Sequence, residues 1–274
     1  MIRALRSTAV LSRTAATMSS RAMSAWNSVP MAPPDKIFGL TVAFQKDEAP
    51  EKINLGVGAY RDDNGKPFIL QSVEEAKQRI LSRLSNHEYS AIQGNDAFIK
   101  VSEEFTFGED SPVLREKRIA SIQSLSGTGS LRVLAECYRA AKSPPKIHLP
   151  SPTWANHINI FTRGGLEPVS YGYYDKDLSR FNVSLMLDDL EKAEDESLFC
   201  FHACSHNPTG SDPSKEEWGL ISDKVKQKKH TILFDNAYQG YATGDAERGE
   251  HILFIDAVCL FVCLFVCLFV CLFV

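Results

Sequence analysis

From about residue 119 to residue 234, short apolar runs of strand length alternate with longer stretches of helical length, and this alternation constrains the fold more than any other feature. The runs lie at residues 119–122, 147–149, 169–174, 198–203 and 231–234, and helical patterns cover 129–141 and 215–228 between them. Earlier, residues 73–84 place apolar side chains on one helical face among Glu74, Glu75, Lys77, Gln78 and Arg79. Residues 53–60 read as a short strand-like run broken by Gly56 and Gly58, and the Pro-, Ser- and Met-rich segment 26–34 reads as an extended arm. Strands alternating with helices predict an α/β fold built on a mostly parallel sheet.

The 274 residues carry a net charge of -4, which gives no reason to expect a nucleic-acid partner. That total conceals an uneven distribution. The first 30 residues contain Arg3, Arg6, Arg13 and Arg21 and no acid, leaving 26 bases against 34 acids in the remainder. Arg3, Arg6 and Arg13 would share one helical face, and the segment is rich in Ser and Ala without a long apolar core. This composition predicts a mitochondrial transit peptide over residues 1–23 rather than a secretory signal.

Of seven cysteines, Cys137, Cys200 and Cys204 lie in the ordinary part of the chain, without metal-ligand spacing. The other four belong to a Val-Cys-Leu-Phe repeat at residues 258–274, which with Ala257 makes an unbroken apolar run. Its length approaches that of a membrane span. A strict period of four suits neither a helix nor a lipid-facing segment, and is expected to fit no strand either. We read 257–274 as translation of a repetitive, out-of-frame or intronic stretch, and expect no membrane partner.

Four segments carry chemistry. Ser124-Leu-Ser-Gly-Thr-Gly-Ser130 stands at a strand-to-helix junction, where Ser126, Gly127 and Thr128 could cradle a phosphate or simply cap a helix. It is neither a GxGxxG fingerprint nor a Walker loop, which argues against a dinucleotide or a nucleoside triphosphate. Pro152-Thr-Trp-Ala-Asn-His157 puts Trp154 just past a strand, as core or as a flat face for a ring, with His157 nearby. His202-Ala-Cys-Ser-His-Asn-Pro-Thr-Gly210 is a turn sequence that could also set the Asn207 amide at the carboxyl edge of the sheet. Leu233-Phe-Asp-Asn-Ala-Tyr238 ends a buried strand on Asp235, an acid that needs a cationic or donor partner, with Tyr238 three residues on. A phosphate cradle, a stacking aromatic, an amide, a tyrosine and a buried acid together suit pyridoxal 5'-phosphate.

The segments LGVGAYRDDNGKP, SLSGTGSLR, PTWANH, HACSHNPTG and ILFDNAYQGYATGD stand in one order between about Trp26 and Gly244. In that order the chain resembles the mitochondrial aspartate aminotransferase branch of the class I pyridoxal-phosphate-dependent aminotransferases. The resemblance implies a fold-type I large domain, incomplete here, with an N-terminal arm and part of a small domain. The corresponding spans are 24–66 for the arm and small-domain segment, and 67–256 for the cofactor-binding domain. It implies amino-group transfer from L-aspartate to 2-oxoglutarate, giving oxaloacetate and L-glutamate, in the mitochondrial matrix. Ser126, Gly127 and Thr128 would hold the phosphate, and Trp154 would stack on the ring. Asn207 and Tyr238 would bond the phenolic oxygen, and Asp235 would pair with the ring nitrogen. His157 and His202 would support Asp235. Gly58, Trp154 and Asn207 would approach the substrate, an amino or oxo dicarboxylic acid. Tyr89 would reach the cofactor phosphate of a second subunit, which implies a homodimer.

The sequence departs from the family at the lysine that bonds the cofactor covalently. No lysine follows Lys229 and no arginine follows Arg248, so neither that lysine nor the arginines that clamp substrate carboxylates are found there. No catalytic residue is therefore assigned, and the chain as written is expected to be inactive. The alternative is a non-catalytic short isoform or a dimerising fragment.

Overall fold

The computed structural model describes residues 36–54, 58–83, 88–142, 145–241, 244, 259–264 and 268–273. The expected transit peptide and the segment 24–35 lie outside them. The chain divides into two compact units, Met1–His87 and Glu88–Val274.

The first unit holds helices α1 (Lys36–Lys46) and α2 (Gln71–Leu81). Between them Arg61 bridges to Pro67 around a turn in which Asp62 Oδ1 accepts from the N–H groups of Asn64 and Lys66, each at 2.9 Å. Gly65 takes φ +72° there, a left-handed conformation open to glycine at little cost. Helix α2 matches the expected amphipathic segment. Of the strand-like run expected at 53–60, residues 53–54 and 58–60 form no strand, and 55–57 lie outside the described residues. Gly58 and its neighbours offer no sustained alternation that would reward pairing.

The second unit is a three-layer α/β domain. Its elements are α3 (Asp96–Phe107), α4 (Pro112–Arg115), β1 (Ile119–Gln123), α5 (Ser126–Ala141), β2 (Lys146–Ser151), α6 (Ala155–Arg163) and β3 (Glu167–Gly172). They continue with β4 (Tyr174–Asp175), β5 (Arg180–Phe181), α7 (Val183–Lys192), β6 (Leu198–His202), α8 (Lys215–Lys228), β7 (Thr231–Asn236), β8 (Cys259–Leu264) and β9 (Leu268–Phe273). The seven-stranded sheet has the order β1-β9-β8-β7-β6-β2-β3. Strands β3, β2, β6, β7 and β8 pair in parallel, whereas β9 runs antiparallel to both β8 and β1. The mostly parallel sheet is thus as expected. The run expected at 169–174 ends at Gly172, and Tyr174–Asp175 pairs instead with Arg180–Phe181 in a separate two-stranded ribbon.

Strand β6 shows why the apolar runs lack strand alternation. All five of its residues are buried, because a central parallel strand is covered on both faces. Phe199 and Phe201 enter a cluster with Leu190 of α7, Trp218, Ile221 and Val225 of α8, and Phe234 of β7. Leu198 and Cys200 point the other way, into a cluster with Leu131 and Leu134 of α5, Phe161 of α6 and Leu233. Helix α8 starts on a capping box in which Ser214 and Glu217 satisfy each other's backbone N–H groups, and it ends at Lys229 in the left-handed conformation.

The repeat requires a correction. Expected to fit no strand, it forms β8 and β9, which pair with each other and insert between β7 and β1. A period of four is a multiple of the strand period of two, so each side of the ribbon keeps a constant residue set. A sequence apolar at every position also tolerates coverage on both faces. Among the described residues no helix is long and apolar enough to cross a membrane.

Phe161 is fully buried between α6 and the sheet, directly behind His157, with ring centroids 6.0 Å apart. Replacing Phe161 with Ala should cost about 3–5 kcal/mol through lost burial and an uncollapsed cavity. Urea unfolding should show this as a lower midpoint at unchanged slope.

Candidate active site

Strands β2, β6, β7 and β8 run in one direction, and β1, antiparallel to a strand that is antiparallel to β8, runs with them. All five end on one edge of the sheet. Strand β2 connects outward to β3 and β6 connects the other way to β7, and in sheets of this kind ligands bind beyond the carboxyl ends at such a reversal. Every chemistry-bearing segment except the one around Gly58 and the one around Tyr89 follows a strand into this edge. Ser126 follows β1, Trp154 follows β2, Asn207 follows β6, and Asp235 lies near the end of β7 beside its register partner His202.

Asp235 has the partner that its position demands. Its Oδ2 lies 2.9 Å from His157 Nε2, and the His157 side chain is fully buried. On the far side of that ring, Nδ1 lies 2.8 Å from Thr153 Oγ1. A neutral imidazole satisfies both contacts, with Nε2–H donating to the carboxylate and the Thr153 hydroxyl donating to Nδ1. Helix α6 sets this geometry, because Thr153 and His157 are four residues apart across its first turn. Trp154 caps the same turn and meets the His157 ring edge-on at 5.3 Å.

His202 Nδ1 accepts the Asn207 backbone N–H at 3.0 Å, so the ring proton resides on Nε2. That atom is buried without a hydrogen-bond partner among the described residues. Burial holds the His202 imidazole well below its usual range, with His206 and His157 adding to the effect. The Asn207 side chain hydrogen-bonds the Tyr238 hydroxyl. Burial raises Tyr238 above its usual range and the charge of Asp235 adds to this, while the Asn207 bond opposes it. An amide and a phenol thus share one spot, and a carboxylate stands close by.

Nitrogen and oxygen atoms of His157, His202 and Asp235 lie within 4.8 Å of one another, which suggests a metal site at first sight. The tautomer argues otherwise. His202 Nε2 carries the proton and has no lone pair to offer, and His157 and Asp235 already satisfy each other.

Ser126, Gly127 and Thr128 form the first turn of α5, three residues earlier than the sequence pattern places the helix start. Ser126 has φ +62°, unusual for a residue with a side chain, and the turn brings the positive end of the helix to the sheet edge. Register places Gln123, through Leu268 and Leu264, level with Asn236. The first turn of α5 therefore sits three strand spacings, or about 14 Å, from the Asp235 strand. The edge offers an anion site at one side, a carboxylate at the other and an aromatic face nearby, which suits a flat ligand with a phosphate and a basic ring nitrogen. Of the other expected residues, Tyr89 is fully exposed, and Gly58 belongs to the first unit with open space where a Cβ would stand.

Three residues carry no chemistry legible in the sequence motifs. Thr153 orients His157. His206 is buried, stacks on Tyr173 with centroids 3.9 Å apart and bonds Thr209 Oγ1 at 2.8 Å. Asp212 accepts two backbone N–H groups of the Asn207 loop. Spacing gives a signal for Thr153, four residues from His157 on a helix, and none for Asp212.

Residues 50–263 match the family model described as aminotransferase class I and II. The chain is 44% identical over 223 residues to the mitochondrial aspartate aminotransferase of Dictyostelium discoideum, covering 81% of this chain and 52% of that protein. It therefore spans about half the length of this relative. It superimposes with a TM-score of 0.83 on the cytoplasmic aspartate aminotransferase of Saccharomyces cerevisiae, at 37% identity over 90% of this chain and 65% of that one. An aromatic-amino-acid aminotransferase of Burkholderia pseudomallei, covalently bound to pyridoxal phosphate, superimposes with a TM-score of 0.82 at 30% identity, covering 91% and 66%.

Burial, with His157 adding to it, pushes His206 down to about 4 from the ordinary 6.5. The unfolded chain therefore takes up this proton first as the pH falls. The contribution to stability is full above pH 6.5, declines between 6.5 and 4, and is level below. The decline is on the order of 3 kcal/mol. A His206→Phe variant keeps the stack on Tyr173 but not the titration. Urea unfolding at pH 7, 5.5 and 4 should show its stability falling less steeply than that of the unsubstituted chain; parallel curves would refute the assignment.

Proposed function

The chain belongs to the class I and II aminotransferases, and from that premise we propose that the carboxyl edge of its sheet binds pyridoxal 5'-phosphate for amino-group transfer between aspartate and 2-oxoglutarate. The observation that carries this reading is the buried pair of Asp235 and His157, with the Asn207 amide and the Tyr238 hydroxyl meeting beside it. The donor set fits the cofactor part by part. The first turn of α5, with Ser126, Gly127 and Thr128, would hold the phosphate. Trp154 offers an aromatic face, and Asn207 and Tyr238 offer two donors for the phenolic oxygen. Asp235 offers a carboxylate for the ring nitrogen, and the buried Nε2–H of His202 is a donor left over for the same neighbourhood.

When bound, the cofactor supplies an electron sink for charge developed at the α-carbon of the amino acid. The protein's part is electrostatic. Asp235 would pair with the protonated ring nitrogen, and His157, held by Thr153, orients the carboxylate for it. His202 and His206 stay neutral beside it, so neither competes with that nitrogen for the carboxylate.

Several finer assignments complete the reading. The basic, acid-free start supports import into the mitochondrial matrix, as the name of the Dictyostelium relative suggests. Residues 24–66 serve as arm and small-domain segment and 67–256 as the cofactor-binding domain. Full exposure of Tyr89 supports its reaching a second subunit in a homodimer. We further propose that a polypeptide of just these 274 residues, in which no lysine follows Lys229, binds the cofactor without turning over substrate.

Equilibrium titration of this polypeptide with pyridoxal phosphate, followed by tryptophan fluorescence, should give saturable 1:1 binding. Asp235→Asn should weaken it about tenfold, since a neutral amide cannot hold the ring proton. Aspartate and 2-oxoglutarate should then show no turnover. Failure to bind, or equal binding by the variant, would reject the cofactor reading, and turnover at an ordinary enzymatic rate would reject the inactivity.

A further inference from the structure

The segment after β6 has to present the Asn207 side chain at a fixed place, yet it is a loop. Three ties hold it on both sides of Asn207. His202 Nδ1 accepts the N–H of Asn207 itself. The carboxylate of Asp212 reaches back across the loop, with Oδ2 accepting from Ser205 N–H at 2.6 Å and Oδ1 from His206 N–H at 2.8 Å. The His206 ring, wedged against Tyr173 and bonded to Thr209, anchors the residue immediately before Asn207. Tyr173 completes the frame by donating its hydroxyl to Ser211 O at 2.8 Å.

Asp212 holds the least replaceable tie. Ser205 sits at φ +50°, a left-handed conformation that a serine adopts only when its surroundings impose it. The two N–H groups on either side of the Ser205–His206 peptide point the same way because of that conformation, and one carboxylate serves both. Charge-assisted bonds to backbone N–H groups are stronger than neutral ones, and a carboxylate can accept both without strain. Without it the chain loses its reason to turn at Ser205, two residues before the one whose amide meets Tyr238.

The geometry points to Asp212 as a positioning residue: its two-pronged grip on Ser205 and His206 fixes the Asn207 carboxamide against the phenolic oxygen of the bound cofactor. This rests on the reading of the sheet edge as a pyridoxal phosphate site. It makes a selective demand, because only a ligand bearing that oxygen benefits from Asn207.

The test compares two ligands on the full 274-residue chain, pyridoxal phosphate and 3-deoxypyridoxal phosphate, the same molecule without the phenolic oxygen. Dissociation constants are measured for the unsubstituted chain, Asp212→Ala, Asp212→Asn, Asn207→Ala and the double variant Asp212→Ala/Asn207→Ala. Asp212 is exposed, so its removal leaves the core intact, and thermal melting checks this. Asp212→Ala should weaken pyridoxal phosphate binding about tenfold and leave the deoxy compound within about twofold. Asp212→Asn, which keeps one acceptor, should fall between. The double variant should bind no worse than Asn207→Ala alone, since both act through one contact. Equal weakening of both ligands, additive losses, or no loss would overturn the role of Asp212 while leaving the cofactor site standing. An unsubstituted chain that binds neither ligand would overturn the site and the positioning role together.

Discussion

A carboxylate at the end of a buried strand is costly unless it has a partner, and the bond from His157 Nε2 to Asp235 Oδ2 provides one. Much of the architecture serves this contact. Asp235 is carried by β7 and His157 by the first turn of α6, two elements 78 residues apart in sequence that meet only because β2 and β7 flank β6. Phe161 backs the imidazole, Trp154 closes one of its edges, and Thr153 holds the nitrogen that faces away from Asp235. The sheet supplies the rigidity, and the loops beyond it supply the chemistry.

The surroundings of that bond are polar without being charged. His202 and His206 lie within a few ångströms of Asp235 or of each other, their rings 4.3 Å apart, and burial keeps both neutral. A protonated imidazole at either place would draw the carboxylate away from an incoming cation. Neutral rings leave the field of Asp235 directed into the crevice, which is where a ligand's basic nitrogen gains most from it.

The sequence made the strands, the main helices and most of the pocket legible for a physical reason. Apolar runs of strand length flanked by Gly, Pro and Asn mark buried parallel strands, and ligand groups in such folds lie just past their ends. Trp154, Asn207 and Asp235 each follow or end such a run, so they could be picked out one at a time. What was not legible depends on tertiary geometry. The grip of Asp212 on Ser205 and His206 spans a turn whose shape no spacing rule describes. The neutrality of His202 comes from its burial, with His206 and His157 adding to it, and that packing is not visible in a string of letters. The pairing of the repeat was misread because its period was compared with helices and membranes, whereas a strand asks only for a multiple of two.

The hairpin of β8 and β9 has one further consequence. A sequence that repeats every four residues looks the same to β7 after a slip of four, so side-chain identity does little to choose among registers. Register here rests on the strand ends and backbone pairing more than on side-chain identity. Strand β1 hangs on the far side of this ribbon, and the first turn of α5 hangs on β1. A slip of four would displace both by about 13 Å along the strand direction. The separation between the anion-binding turn and Asp235 is thus set through a ruler whose markings are all alike.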